Sequence, residues 1–118
     1  MTLVDTSVWV DHLRRGNRAL ALLLEGDQVL THPFVVGELA CGRMRNRDEI
    51  LGLLAKLPEA KVARHDEVLA LVGRHRLCGR GIGWVDAHLL ASSLLSHAPL
   101  LTLDRRLSEV AATVGIAG

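Results

Sequence analysis

What most constrains this chain is a set of short apolar runs, each ending at a polar residue or a proline and each followed by a longer helical pattern. Leu3-Val4 stops at Asp5, Gln28 to Leu30 stops ahead of Pro33, and Leu100 to Leu103 stops at Asp104. Between and after them, apolar residues recur at helical spacing. The helical segments are 8–15 and 18–25, broken at Gly16-Asn17, then Pro33 to about Gly42, 47–57, 66–77, 84–96 and 105–114. Pro33 suits a first helical turn, and Pro58 ends the 47–57 segment. Lys61 to Ala63 predicts a further strand and Ile116-Ala117 a last edge strand. Alternating strands and helices predict an α/β fold with a parallel sheet of four to five strands, covered on both faces. Crossovers in such sheets are right-handed, and ligands bind at the carboxyl ends of the strands. The residues that follow each strand are therefore the ones to inspect.

A length of 118 residues suits one domain over 1–118. Hydrophobic residues at 49% and charged residues at 23% exclude disorder as the main state. Aromatics are 3%, so the core is aliphatic, and a base-stacking platform of the RRM or OB type is disfavoured. A net charge of +1 does not mark a nucleic-acid binder. All basic residues but Lys56 and Lys61 are Arg, which suits bidentate phosphate or carboxylate contacts, although GC-rich coding gives the same bias. Cys41 and Cys78 lie far apart and outside any zinc spacing, so reduced thiols and a cytoplasmic location are expected. Asp5 and Asp11 interrupt any leader-like apolar run, and 87–103 holds His88, His97 and Pro99, so no membrane span is expected. No repeat or low-complexity linker occurs.

Asp5 and Asp104 each follow a strand, and would share one crevice if those strands are neighbours. Each also precedes a helix, where Asp, Thr and Ser act as N-caps. Glu38 falls between Phe34 and Val35 on the wheel of its helix, on or beside the apolar face. A carboxylate there calls for a cation or donors, and Arg43 or Arg14 would serve at the rim. Asp86 sits in the first turn of a helix that is apolar almost all round, where acids also suit the helix dipole. Four carboxylates in one pocket repel each other, and a divalent cation relieves the repulsion. Oxygen ligands without thiolates select a hard ion, Mg²⁺ or Mn²⁺, which suits phosphodiester hydrolysis. Spacing by itself leaves the clustering open.

Four blocks of the sequence resemble those of PIN-domain ribonucleases, and especially the VapC toxins of type II toxin–antitoxin pairs. They are Val4-Asp5-Thr6-Ser7-Val8-Trp9, Val36-Gly37-Glu38-Leu39, Val85-Asp86-Ala87-His88-Leu89-Leu90-Ala91 and Leu101-Thr102-Leu103-Asp104-Arg105-Arg106-Leu107. They occur in family order and span nearly the whole chain. The resemblance implies a three-layer α/β/α domain around a central parallel sheet. It implies that Asp5, Glu38, Asp86 and Asp104 form the catalytic, metal-binding quartet of an Mg²⁺- or Mn²⁺-dependent endoribonuclease. Thr6 or Ser7 would hold the first acid by hydroxyl hydrogen bonds, and Thr102 the last strand end. The implied partners are an RNA substrate, a cognate antitoxin that places a basic side chain in the acidic pocket, and a second copy of the chain. Leucines of 47–57 and of the early helices would supply an apolar face for the dimer or the antitoxin, or simply core.

The remaining features carry less. The six His residues show no HxxxH spacing, so zinc hydrolysis is not expected, while His88 stays open as a general base. Gly79-Arg80-Gly81-Ile82-Gly83 does not follow a strand and is no phosphate loop, and Arg74, Arg76 and Arg80 read as a solvated face or as phosphate contacts. Trp9 and Trp84 read as packing residues. A phosphoacceptor receiver domain would need an Asp after the third strand and a Lys after the fifth, and neither is present. A PIN nuclease that processes RNA without being a toxin, and a non-catalytic PIN-like binding module, remain as alternatives.

Overall fold

The computed structural model describes residues 1–118. Its elements run β1 (Thr2–Val4), α1 (Thr6–Arg15), α2 (Arg18–Glu25), β2 (Val29–Leu30), α3 (Pro33–Cys41), α4 (Arg47–Leu54), α5 (His65–Arg74), α6 (Trp84–Ser96), β3 (Leu100–Leu101) and α7 (Arg105–Thr113). The three strands are parallel in the order β2-β1-β3. Leu3 pairs with Leu30 on one side of β1 and with Leu100 on the other. Successive strand residues point to opposite faces. Leu3 and Val4 are both fully buried, so helices cover both faces of the sheet.

The sheet is narrower than the expected four to five strands. Lys61 to Ala63 is not a strand. Parallel pairing occurs earlier, as a single bridge between Thr31 and Glu59. Thr31 N–H donates to Pro58 O at 2.8 Å, and Ala60 N–H to Thr31 O at 2.8 Å. The Lys61 N–H is then taken by Ser96 Oγ at 2.9 Å, which draws the chain off the sheet towards α6. The expected last strand is likewise one bridge, Leu100 with Ala117.

Local punctuation behaves as its chemistry dictates. Gly16, at φ +81°, ends α1, and the Asn17 side chain caps α2 by accepting from Leu20 N–H at 3.0 Å. Pro33 opens α3. In α6, residues 87–93 are all buried, so this helix runs through the core, while its first residues, Trp84 to Asp86, are exposed or half-buried. No helix is long and apolar enough to cross a membrane. Both cysteines are free and exposed.

His32 joins α3 to α6. It is fully buried, its Nδ1 accepts from Phe34 N–H at 3.0 Å, and its Nε2 lies 3.0 Å from Ser92 Oγ. With Nδ1 accepting, the neutral ring carries its proton on Nε2. Burial, reinforced by the nearby His88, lowers its pKa from 6.5 to about 4. The unfolded chain therefore binds the proton first as pH falls. The His32 contribution to stability is complete above pH 6.5 and is lost progressively down to about pH 4, by at most ~3 kcal/mol. Urea unfolding at pH 7 and pH 4.5 measures this. His32→Asn, which keeps an acceptor for Phe34 N–H, is expected to show a visibly smaller difference between the two pH values.

Candidate active site

Because β1 and β3 are hydrogen-bonded neighbours, the residues after them share one crevice. The chain leaves β1 on one side for β2 and returns on the other as β3, a switch point where crevices open in parallel sheets. Asp5 N–H donates to Leu101 O at 2.9 Å, which sets Asp5 beside Thr102.

The Asp5 side chain does not cap α1. It is 7% exposed and takes two hydroxyl hydrogen bonds on Oδ2, from Ser7 Oγ at 2.7 Å and from Thr102 Oγ1 at 2.7 Å. Both hydroxyls are oriented from behind. Ser7 Oγ accepts from Leu103 N–H at 3.0 Å, and Thr102 Oγ1 accepts from Asp104 N–H at 3.0 Å. With a lone pair of each occupied by an N–H, their protons turn to the carboxylate. All the hydrogen bonds fall on one oxygen, and Oδ1 accepts none from the protein. Thr6 behaves differently from the expectation that it might hold Asp5: its Oγ1 donates to Glu38 Oε1 at 2.8 Å.

Glu38 also departs from expectation. It is exposed rather than buried on the α3 face, and its partner is Thr6 rather than Arg14 or Arg43. Asp104 both follows β3 and caps α7, accepting from Leu107 N–H at 3.0 Å. Asp86 closes back on the loop before α6, accepting from Gly83 N–H at 3.1 Å. Partial burial raises the Asp86 pKa above 3.8 against the pull of the Gly83 N–H, and the charges of Asp5, Asp104 and Glu38 raise it further. The structure thus places Asp5, Asp104 and Glu38 within electrostatic reach of Asp86. None of them takes part in an ion pair with Arg, Lys or His.

No three of these side chains converge into a ready ligand set. The donor chemistry nevertheless fits a hard divalent cation: oxygen ligands only, an excess of negative charge, and one oxygen of Asp5 uncommitted within the protein.

Two clefts open on either side of Glu38. One, of about 650 Å³, is lined by Arg14, Arg43 and Arg45 among apolar residues of α1, α3 and α4. The other, of about 600 Å³, lies between α3 and α6 and is walled by Phe34 and Trp84. No local pattern in the sequence points to this second cleft. Phe34 falls on an apolar helical face and Trp84 has the residue type of a core anchor, yet they are 37% and 40% exposed. The available signal was their position in the first turns of the two helices that carry Glu38 and Asp86.

The model of the PIN domain family matches residues 2–113. The chain is 52% identical over 118 residues to the Mycobacterium tuberculosis protein named Ribonuclease VapC32, in both strains CDC 1551 / Oshkosh and ATCC 25618 / H37Rv; the match covers 99% of this chain and 95% of the relative. It is 32% identical over 115 residues to Ribonuclease VapC19 of the same organism, covering 90% of each chain. The match to the family model over nearly the whole chain, together with these two relatives, shows that the chain belongs to the PIN-domain family, among its VapC-type members.

Proposed function

We propose that this protein is an Mg²⁺- or Mn²⁺-dependent endoribonuclease acting as the toxin of a toxin–antitoxin pair. Asp5, Glu38, Asp86 and Asp104 are its catalytic and metal-binding groups. The observation that carries this reading is Asp5: a nearly buried carboxylate, fixed by two oriented hydroxyls, facing three further carboxylates with no protein cation among them. A divalent ion held by this quartet supplies a water of lowered pKa and positive charge against the phosphate oxygens. The chain's own contribution is orientation. Ser7 and Thr102 fix the plane of Asp5, Thr6 restrains Glu38, Gly83 N–H aims Asp86, and the α7 cap aims Asp104. The partners proposed are RNA, an antitoxin that presents an Arg or Lys to the four carboxylates, and a second copy of the chain.

RNA 5′-end mapping after induction in bacterial cells, with Asp5→Asn alongside, tests the proposal. New ends at a defined site in the wild type alone support it. Soluble chain that produces no new ends, in a heterologous host and in its native species, overturns it. Ser7→Ala is a finer probe. It removes one of two hydroxyls from Asp5 and leaves the carboxylate in place, so kcat/KM is expected to fall about 10- to 100-fold. The melting temperature should stay within a few degrees of wild type, because the Leu103 N–H it releases lies at the surface.

A further inference from the structure

We propose that the cleft between the first turns of α3 and α6 seats an unpaired nucleobase of the RNA, stacked against Phe34 and Trp84. This rests on the ribonuclease reading and deepens it, since it names a substrate contact of the same site. The chain has three aromatic residues of the Phe, Tyr and Trp classes. Trp9 is in the core at 4% exposure, whereas Phe34 and Trp84 are half-exposed and line one cleft. The His88 ring lies between them, with its centroid 4.8 Å from each. His65 and His32 extend the row, 5.0 Å from Trp84 and 5.2 Å from Phe34.

His88 is 6% exposed, and its Nδ1 has no hydrogen-bond partner. The ring is packed behind the two exposed rings and does not itself line the cleft. Gly37 opens the floor of the cleft: a side chain there would meet nothing within 4 Å. Glu38 lines this cleft and the arginine-lined one alike, and Asp86 is two residues beyond Trp84 on the same helical turn. An RNA strand passing from arginines, over the carboxylates, to two aromatic rings meets the charge and stacking pattern that single-stranded nucleic acid requires. A neutral flat base also suits a cleft whose only charge is the Glu38 carboxylate, where a phosphate would be repelled.

The test uses the full chain in EDTA, so that no RNA is cut, and reads tryptophan fluorescence. Trp9 is buried and gives a steady background. The probes are hexanucleotides of adenine, cytosine, uracil and alternating guanine–uracil, with an abasic ribose-phosphate hexamer as the control. At least one base-bearing hexamer is expected to quench Trp84 saturably, with the abasic chain binding about tenfold more weakly. Phe34→Ala should weaken the quenching hexamer about tenfold, and Trp84→Leu, which removes the reporter and is read instead by anisotropy of an end-labelled hexamer, should weaken it similarly. Gly37→Leu fills the cleft while sparing both rings, and should weaken binding similarly if Phe34→Ala disturbs folding. Equal affinity for abasic and base-bearing hexamers, or no effect of either cleft variant, overturns the inference. So does a Trp84→Leu chain that changes its oligomeric state on a sizing column while hexamer affinity is retained, since the rings then serve a second copy. Wild type that cuts RNA with Mg²⁺ yet shows no stacking leaves the ribonuclease reading intact and removes this one. Stacking without cleavage does the reverse.

Discussion

Asp5→Asn is expected to lower the rate of RNA cleavage by about a thousandfold while leaving the fold intact. The change removes one charge from the quartet and replaces one carboxylate oxygen by an amide that donates. If Asp5 helps to hold the ion, the charge stabilisation lost is several kcal/mol, and ~4 kcal/mol corresponds to about three decades in rate. Stability should move little, or upward. Asn keeps an oxygen that accepts from Ser7 and Thr102, and the substitution relieves repulsion with Glu38, Asp86 and Asp104. Cleavage rate and thermal melting on the same preparation separate the two effects. A melting point lower by more than ~5 °C, roughly 1 kcal/mol or more in a domain of this size, would instead make Asp5 a structural residue.

Chelation is expected to have a still larger effect. Excess EDTA should abolish cleavage, and Mg²⁺ or Mn²⁺ should restore it, with Ca²⁺ a poor substitute. The four acids form no ion pair with a cationic side chain, and the arginines of the neighbouring cleft pair with none of them, so a bound ion is the expected counterweight to the charge on the phosphate. Ca²⁺ accepts more ligands at longer and less regular distances, and orients water and phosphate less strictly than an octahedral ion. Melting supplies a second readout, since an ion bound only by the folded chain raises the melting point as its concentration rises. Full activity in excess EDTA would overturn the metal dependence.

The sequence exposes the helices well because their signals are local. Gly16-Asn17, Pro33 and the apolar length of 84–96 each act within a few residues. The strands are harder, because a two-residue strand has almost no periodicity of its own. Lys61 to Ala63 has the composition of a strand, yet pairing goes to Glu59, since the register is set by Thr31, far away in sequence, which donates to Pro58 O and accepts from Ala60 N–H. Site geometry is legible in the same uneven way. Strand-end position singles out Asp5 and Asp104. Whether each is a cap or a buried carboxylate is decided by distant hydroxyls, and the answers differ: Asp104 caps its helix and Asp5 does not. Glu38 is placed on the correct helix, but its exposure and its bond to Thr6 depend on how α3 sits against α1. The meeting of Phe34 with His88 and Trp84 joins two helices far apart in sequence, and no local rule anticipates it.

The hydrogen bond from Thr102 to Asp5 spans 97 positions of the chain. It gives the protein a clock. During synthesis the Thr102 hydroxyl that holds Asp5, and the Asp104 carboxylate, are made more than ninety residues after it. Because β3 must also emerge before it can pair with β1, a chain still on the ribosome has an incomplete acidic site until β3 and Asp104 have been made. The proposed activity against RNA is thereby postponed until that stretch of the message has been read.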